Sequence, residues 1–335
     1  MYQVSFVCLD DLVPADHEYR KFANVWSFKN AEKLLGKIKT ENNNQGFGAL
    51  RLFKCLLLQF MENLSDRDLA KYLSDSNAGK WFCGFDLTEI TPDFTVFTKF
   101  RSRVGTSLLS EIFADLKQQL QNQGLMSEVF TFVDSAHLIA KAKLWEERDK
   151  ALALKYEKLN NETLPKVAHD KQARIGAKGK NKYWYGYKQH TSVDMQSGLI
   201  NKIAITPANV TDAKGYKHVA PKTGATYADK GYCIQPCQIE AKRRGLHLAA
   251  IQIRNMKTKN KDLDSWYSKL RAPYERVFSQ REQRVRYVGI AKNQFACFMF
   301  AIGFNLKRIV TLNMPDVHIT WDNFVRNMPN FGFQQ

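Results

Sequence analysis

Three carboxylates stand where a phosphodiester could be handled. Asp134 closes the apolar run Val129-Phe-Thr-Phe-Val133, Asp229 closes Ala225-Thr-Tyr-Ala228 and is followed by Lys230 and Gly231, and Glu275 stands two residues after Pro273. An aspartate at the C-terminal tip of a strand, with glycine letting the backbone turn away, presents its carboxylate to a metal rather than to bulk solvent. Cleaving or moving a phosphodiester needs an attacking oxygen made nucleophilic and a leaving oxygen neutralised, and two divalent ions ~3.5–4 Å apart can do both. Mg²⁺ and Mn²⁺ take carboxylate oxygens as ligands and keep positions open for water and phosphate. Each acid also has a plainer reading. A strand-end aspartate is commonly a turn residue or helix cap, and Glu275 fits a first-turn acid favoured by the helix dipole, or a partner of Arg271 or Arg276. Asp194 and Asp212 are further acids at suitable places, read here as a hairpin-turn residue and a helix cap, so spacing alone does not force the triad.

Composition narrows what such a site would act on. The chain has 335 residues, 44% of them hydrophobic, enough for one large core or two modest ones. Its formal charge is +17 and its pI about 9.5. A surplus of that size favours a polyanionic partner, most often nucleic acid. No apolar run reaches the ~18 residues of a membrane span, and the N-terminus lacks the basic-then-apolar order of a secretory signal, so a cytoplasmic protein is expected. The six cysteines are scattered without zinc-site spacing and read as indifferent thiols.

The elements that must position the acids follow from periodicity. Residues 1–125 read as helical: Leu50, Phe53, Leu57 and Phe60 recur at helical spacing, Ser65 with Asp66 and Asp68 opens a helix, Thr91-Pro92-Asp93 opens another, and Gly124 stops the helix from Ser107 to Gln123. Lys54, Arg67, Lys71, Lys99, Arg101 and Arg103 lie in this block, which is expected to read DNA ends, to pack or to dimerise. Beyond it, residues 129–133 form a strand ending on Asp134. Residues 141–182 read as a mobile basic loop. A hairpin turns at Asp194 to Gly198, a helix begins at Asp212, and the Asp229 strand, the helix Gln235 to Gly245 and the strand Leu248 to Ile253 follow. A cationic linker Arg254 to Lys261, a helix from about Pro273 and an apolar helix Phe295 to Leu306 complete the chain. Three antiparallel strands, then helix, strand, helix, strand and helix, is the order of a ribonuclease H-like α/β core, a mixed sheet flanked by helices whose acids gather at strand ends. That core is expected over 126–310, after the all-helical N-terminal domain and before a tail at 311–335.

The cations expected to meet phosphate are Lys178, Lys180, Lys182, Lys188, His190, Lys230, Arg254, Lys257, Arg271, Arg276 and Arg281. Tyr183, Trp184 and Tyr185 are read either as a stacking surface for an unpaired base or as core.

The motifs resemble, in order, those of the DDE transposases of bacterial insertion sequences, in the IS-four and IS-five groups and the IS-five type first. Ser5-Phe6 through Leu12-Val13-Pro14 and His17 resembles the opening, Tyr185-Gly-Tyr-Lys-Gln-His190 the second strand, and Thr206-Pro-Ala-Asn-Val-Thr-Asp212 with Ala228-Asp-Lys-Gly-Tyr232 the approach to the second acid. Arg271-Ala-Pro-Tyr-Glu275-Arg-Val-Phe278 and Arg286-Tyr-Val-Gly289 through Asn305-Leu-Lys-Arg308 resemble the C-terminal signature. The resemblance implies that Asp134, Asp229 and Glu275 bind two Mg²⁺ or Mn²⁺ ions. It implies cleavage at each element end to free a 3′-hydroxyl, and attack of that hydroxyl on target DNA. The implied partners are double-stranded terminal inverted repeats and target DNA, with a homodimer or larger synaptic complex, no membrane, and residence on the nucleoid when DNA is bound. The family's tyrosine is replaced by Ser268 and its lysine by Glu282, with Arg281 as the nearest substitute charge. A ribonuclease H-like nuclease without strand transfer and a domesticated, non-cleaving DNA-binding protein are the rival readings.

Overall fold

The computed structural model describes residues 7–38, 46–141, 143–153, 159–179, 182–253, 256, 259–274 and 284–312. Its first part is helical, as the periodicity predicts: α1 Leu9–Leu12, α2 Glu18–Val25, α3 Lys29–Leu35, α4 Ala49–Met61, α5 Asp66–Asp75, α6 Asn77–Cys83 and α7 Phe94–Asn122. Ser65 and Asp68 form a reciprocal capping box at the start of α5, each accepting from the other's backbone N–H. Asp93 caps α7 by accepting from the N–H of Thr95 at 2.6 Å. The two helices expected on either side of residue 105 are joined into α7, with a kink at Gly105, whose φ of 64° and ψ of −176° are open to glycine and costly for other residues.

Several basic residues of this block are used internally. Arg101 forks onto Asp66 at 2.7 and 2.5 Å, and the Lys54 ammonium lies over the Phe28 and Phe82 rings, its pKa lowered by burial. Arg67 and Arg103 lie over Phe94 and Phe100 while remaining exposed, and Lys71 and Lys99 are exposed too.

The remaining elements are β1 Phe130–Ile139, α8 Leu144–Ala153, α9 Leu164–Val167, β2 Arg174–Lys178, β3 Lys182–Asp194, β4 Ile200–Pro207, α10 Asp212–Val219, β5 Ala225–Ala228, α11 Gln235–Arg243, β6 His247–Ala250, α12 Lys261–Arg271 and α13 Ile290–Leu312. Short 3₁₀ turns occupy Lys230–Tyr232 and Ala272–Tyr274. The sheet runs β2-β3-β1-β5-β6 with β4 also on β3; β1, β2 and β4 are antiparallel to β3, while β1–β5 and β5–β6 are parallel. This is the expected ribonuclease H-like arrangement, a mixed sheet flanked by helices.

Two sequence readings are corrected, and one stretch left unread is a helix. The basic loop at 141–182 holds α8, α9 and β2, because Ile175 and its neighbours pair with Tyr185 and Gly186 on β3. The stretch between the cationic linker and Pro273 is the amphipathic helix α12, capped by Asn260. Asp134 is inside β1 rather than at its end.

Alternation along β1 and β5 divides the core. Val133 and Ala228 face α10 and α11 in a cluster with Tyr216, Val219, Cys237 and Ala241. Phe132 and Tyr227 face α12, meeting Ala249 and Tyr267. Tyr187, Val193, Ile203 and Ile205 on the sheet share one apolar cluster with α4, α7 and α13, so the helical block and the sheet have a common core. Helix α13 lies between them, against α2, α4, α7 and β4. It is long and apolar enough to cross a membrane by length and composition, and 56% of its most apolar window is buried inside the protein. Burying a Leu, Ile or Phe side chain contributes roughly 1.5–3 kcal/mol, and Leu306, Ile302 and Ile309 are all fully buried.

Candidate active site

Asp134 and Asp229 are neighbours because β1 and β5 run parallel and in register. Val133 pairs with Ala228, the last residue of β5, so each acid comes one position after that pair. β1 then continues without β5, paired with β3 from Asp134↔Thr191 to Ile139↔Gly186. Asp134 therefore sits at the step where the sheet narrows. Both acids alternate onto the face of Phe132 and Tyr227, beneath α12.

The two carboxylates are held alike. The N–H of Ser135 donates to Asp134 Oδ1 at 2.7 Å, and the N–H of Lys230 donates to Asp229 Oδ1 at 2.7 Å. Arg271, at the end of α12, donates to Asp229 Oδ1 at 3.2 Å with its guanidinium over the Phe132 ring. The Ser135 and Lys230 N–H groups and Arg271 all meet the carboxylates on Oδ1. Burial raises the Asp134 pKa to about 6; the N–H of Ser135 and the charge of Arg271 pull it down, and Asp229 and Asp212 push it up. Such a crowd of like charges favours a cation, and hard oxygen donors suit Mg²⁺ or Mn²⁺.

Glu275 lies outside the described residues, as do Lys180, Arg254, Lys257, Arg276 and Arg281. Among the described residues no group of three His, Cys, Asp or Glu side chains is placed to hold a metal. Tyr274, the last described residue before Glu275, packs on Phe132 at 6.1 Å and donates its hydroxyl to the Met195 carbonyl.

The other expected DNA contacts separate by exposure. Lys178 and Lys182 face each other across β2 and β3 and are exposed, as is Lys230. Trp184 is half-buried, donating Nε1–H to the Tyr187 carbonyl and packing 5.4 Å from His137. Tyr183 is 67% exposed, whereas Tyr185 is buried and donates to the Asp170 carbonyl. Lys188 is paired with Asp212 at 3.0 Å. His190 is corrected: it is fully buried, its Nε2 shares a hydrogen bond with the Thr206 hydroxyl at 2.9 Å, and burial lowers its pKa to about 4. Its ring fills the space a Cβ would need on Gly215 of α10, which places it under that helix and away from any surface.

Two aspartates do more than the sequence suggests. Thr211, not Asp212, caps α10, and Asp212 accepts from both Ser135 and Lys188. Asp170 is fully buried and accepts the Tyr187 hydroxyl, at 2.8 Å to each oxygen, together with the N–H groups of Gln172 and Gly289. The Tyr185-Gly-Tyr187 and Arg286-Tyr-Val-Gly289 motifs thus meet on a residue that neither contains.

A family model described as a transposase domain (DUF772) matches residues 7–103, and one described as a transposase DDE domain matches residues 153–306. The chain belongs to the insertion-sequence DDE transposases. A search of curated proteins returned no match. In this transposase the first match covers the helical block through the first part of α7, and the second runs from the end of α8 to α13. Asp229 and Glu275 fall within the second match and Asp134 before it. The matches do not establish the IS-five type.

Proposed function

We propose that this transposase cleaves the ends of its insertion sequence and joins each freed 3′-hydroxyl to target DNA, using Asp134, Asp229 and Glu275 to hold divalent cations. The observation that carries this reading is the side-by-side placement of Asp134 and Asp229 at the narrowing of the sheet, with Arg271 on one of them. Mg²⁺ or Mn²⁺ bound there would supply activation of the attacking oxygen and charge neutralisation at the leaving oxygen.

The protein's own part is positional and electrostatic. The Ser135 and Lys230 N–H groups fix one oxygen of each acid, so that ligand geometry is set before DNA arrives. Arg271, 8% exposed, offsets part of the acids' mutual repulsion and anchors α12, from which the chain leads to Glu275. In the first reaction water oxygen bonds to phosphorus as the phosphorus–O3′ bond breaks, leaving a 3′-hydroxyl. In the second that hydroxyl bonds to a target phosphorus as its O3′ leaves, so one ester is exchanged for another and no energy cofactor is needed.

Lys230 supplies exposed charge for phosphate beside Asp229, Lys178 and Lys182 supply it at the other end of β3 from the acids, and Lys71 and Lys99 do so on the helical block, which we assign to DNA-end binding or dimerisation. Two ends must be joined, which implies at least a dimer.

The test uses Asp229→Ala. Mg²⁺-dependent cleavage of end DNA is expected to fall on the order of 10³-fold with binding of the same DNA within twofold of wild type; unchanged cleavage would sink the metal assignment. Supplying a pre-cut end with a free 3′-hydroxyl separates the transposase from a plain nuclease, because only the transposase joins it to a second duplex.

A further inference from the structure

Asp212 is the acid the proposed reaction leaves unused. It stands at the first turn of α10, half-buried, and one of its oxygens serves two strands: Oδ1 accepts the Ser135 hydroxyl at 2.8 Å from β1 and the Lys188 ammonium at 3.0 Å from β3. Its other oxygen faces the turn that follows Asp229, lying 3.7 Å from where a Cβ would stand on Gly231. Lys188 is 12% exposed, so this ion pair is largely screened from water. Buried Tyr232, which closes that turn, packs with Val133 and Ala213, the residues just before Asp134 and just after Asp212.

Ser135 is the residue whose N–H donates to Asp134, and Lys230, which begins the turn beside Gly231, is the residue whose N–H donates to Asp229. Asp212 thus bonds the residue after the first acid and lies against the second residue after the other. A helix cap needs none of this, and Thr211 already performs the capping. Outer groups that orient metal ligands in this way are typically worth 10–100-fold in metal affinity.

We infer that Asp212, held by Lys188, is a positioning residue that fixes the backbone after Asp134 and after Asp229 in the arrangement that receives a divalent cation. The inference rests on the assignment of those two aspartates as metal ligands. Asp212 acts through Ser135 and the 3₁₀ turn and does not itself touch the cation.

Mn²⁺ provides a probe that does not depend on turnover, since the paramagnetic resonance signal of the free ion reports binding to the full-length chain. Asp134→Asn is the reference and is expected to lose binding at the metal site. Asp212→Ala and Ser135→Ala should each weaken Mn²⁺ binding about 10-fold. Asp212→Asn, which keeps an acceptor for Ser135 and gives up the charge facing Lys188, should show a smaller loss. The Mn²⁺ concentration for half-maximal cleavage should rise in the same order, with the rate at saturating Mn²⁺ close to wild type. A residue that only supported the fold would lower the melting temperature and leave that concentration unmoved.

The inference is overturned if Asp212→Ala and Ser135→Ala both bind Mn²⁺ within twofold of wild type while Asp134→Asn has lost it. It is also overturned if Asp212→Ala loses Mn²⁺ as completely as Asp134→Asn, which would make Asp212 a ligand. Retention of Mn²⁺ by Asp134→Asn would instead remove the ligand assignment, and the inference with it. Should Asp212→Ala fail to fold, Ser135→Ala approaches the same contact from β1 and decides the matter.

Discussion

Asp170 and Asp134 both lie against the same sheet, yet their surroundings are opposite. Around Asp170 the Tyr187 hydroxyl and the N–H groups of Gln172 and Gly289 converge on a fully buried carboxylate. Around Asp134 one N–H is supplied, and the nearby charges are Arg271 on one side and two further acids on the other. A satisfied polar network rigidifies the parts it joins, whereas an under-satisfied one is held against its own preference by the rest of the fold. The first joins the approach to β2, the β3 strand and the entry to α13. The second leaves carboxylate oxygens for something else to bind. Residues that resemble one another in type therefore divide into a latch and a site according to how many donors surround them.

The largest break of this contrast should come from Asp170→Ala. It removes the acceptor from three donors, of which the Tyr187 hydroxyl is fully buried and the two N–H groups partly so, and a buried donor left without an acceptor costs ~1–3 kcal/mol. We expect about 3 kcal/mol of lost stability, read as a shift of the urea midpoint, with end cleavage per folded molecule preserved at low temperature. A loss well under 1 kcal/mol would show that the latch does not hold the fold.

Tyr187→Phe takes away a single donor while keeping the ring in the core and the two N–H groups on Asp170. A hydrogen bond to a charged group contributes ~1.5–3 kcal/mol, and Asp170 keeps partners, so a loss near 1.5 kcal/mol is expected in the same urea titration. A loss equal to that of Asp170→Ala would mean that the tyrosine carries the latch alone.

This division was only partly readable in the sequence. The strand order was, because Val129 to Val133, Leu199 to Ile205 and Ala225 to Ala228 are short apolar runs between turn residues, and such runs keep their register when one face is buried. The neighbouring placement of Asp134 and Asp229 followed from that order. The length of β1 was not readable. Residues 134–139 are polar enough to resemble a loop, and they stay extended because β3 supplies their ladder from 57 positions away in sequence at Asp134↔Thr191 and 47 at Ile139↔Gly186. β2 was hidden for the same reason, its basic residues suggesting solvent while its pairing depends on β3. His190 read as a phosphate contact because a motif histidine is a common ligand for anions; Gly215, twenty-five positions later, lets α10 close over it. Asp170 gave no signal, since nothing local marks an aspartate that will meet Gly289. Motif strength tracked the latch as much as the site: the tyrosines and Gly289 drew attention as signature residues, and their contacts are structural.

The smallest effect has the opposite sign and tests the other half of the contrast. Asp134 carries a folded-state pKa of about 6, above the ordinary carboxylate value, because burial and neighbouring acids oppose its charge. The folded protein therefore holds this proton more tightly than the unfolded chain does, and stability falls as the pH rises through the interval between the two values. Above about pH 6 the charged group is a full cost to the fold; below about pH 4 it is protonated in both states and costs nothing. Asp134→Asn keeps the shape and removes the charge, so with chelator present it should stabilise the protein by about 1 kcal/mol at pH 7.5, after allowance for solvent screening of a partly exposed side chain. The gain should shrink through pH 6 and vanish near pH 4, measured as the difference in melting temperature between variant and wild type. A stabilisation that persisted unchanged at low pH would place its origin in packing rather than charge, and a loss of stability at pH 7.5 would mean that Asp134, like Asp170, belongs to the fold.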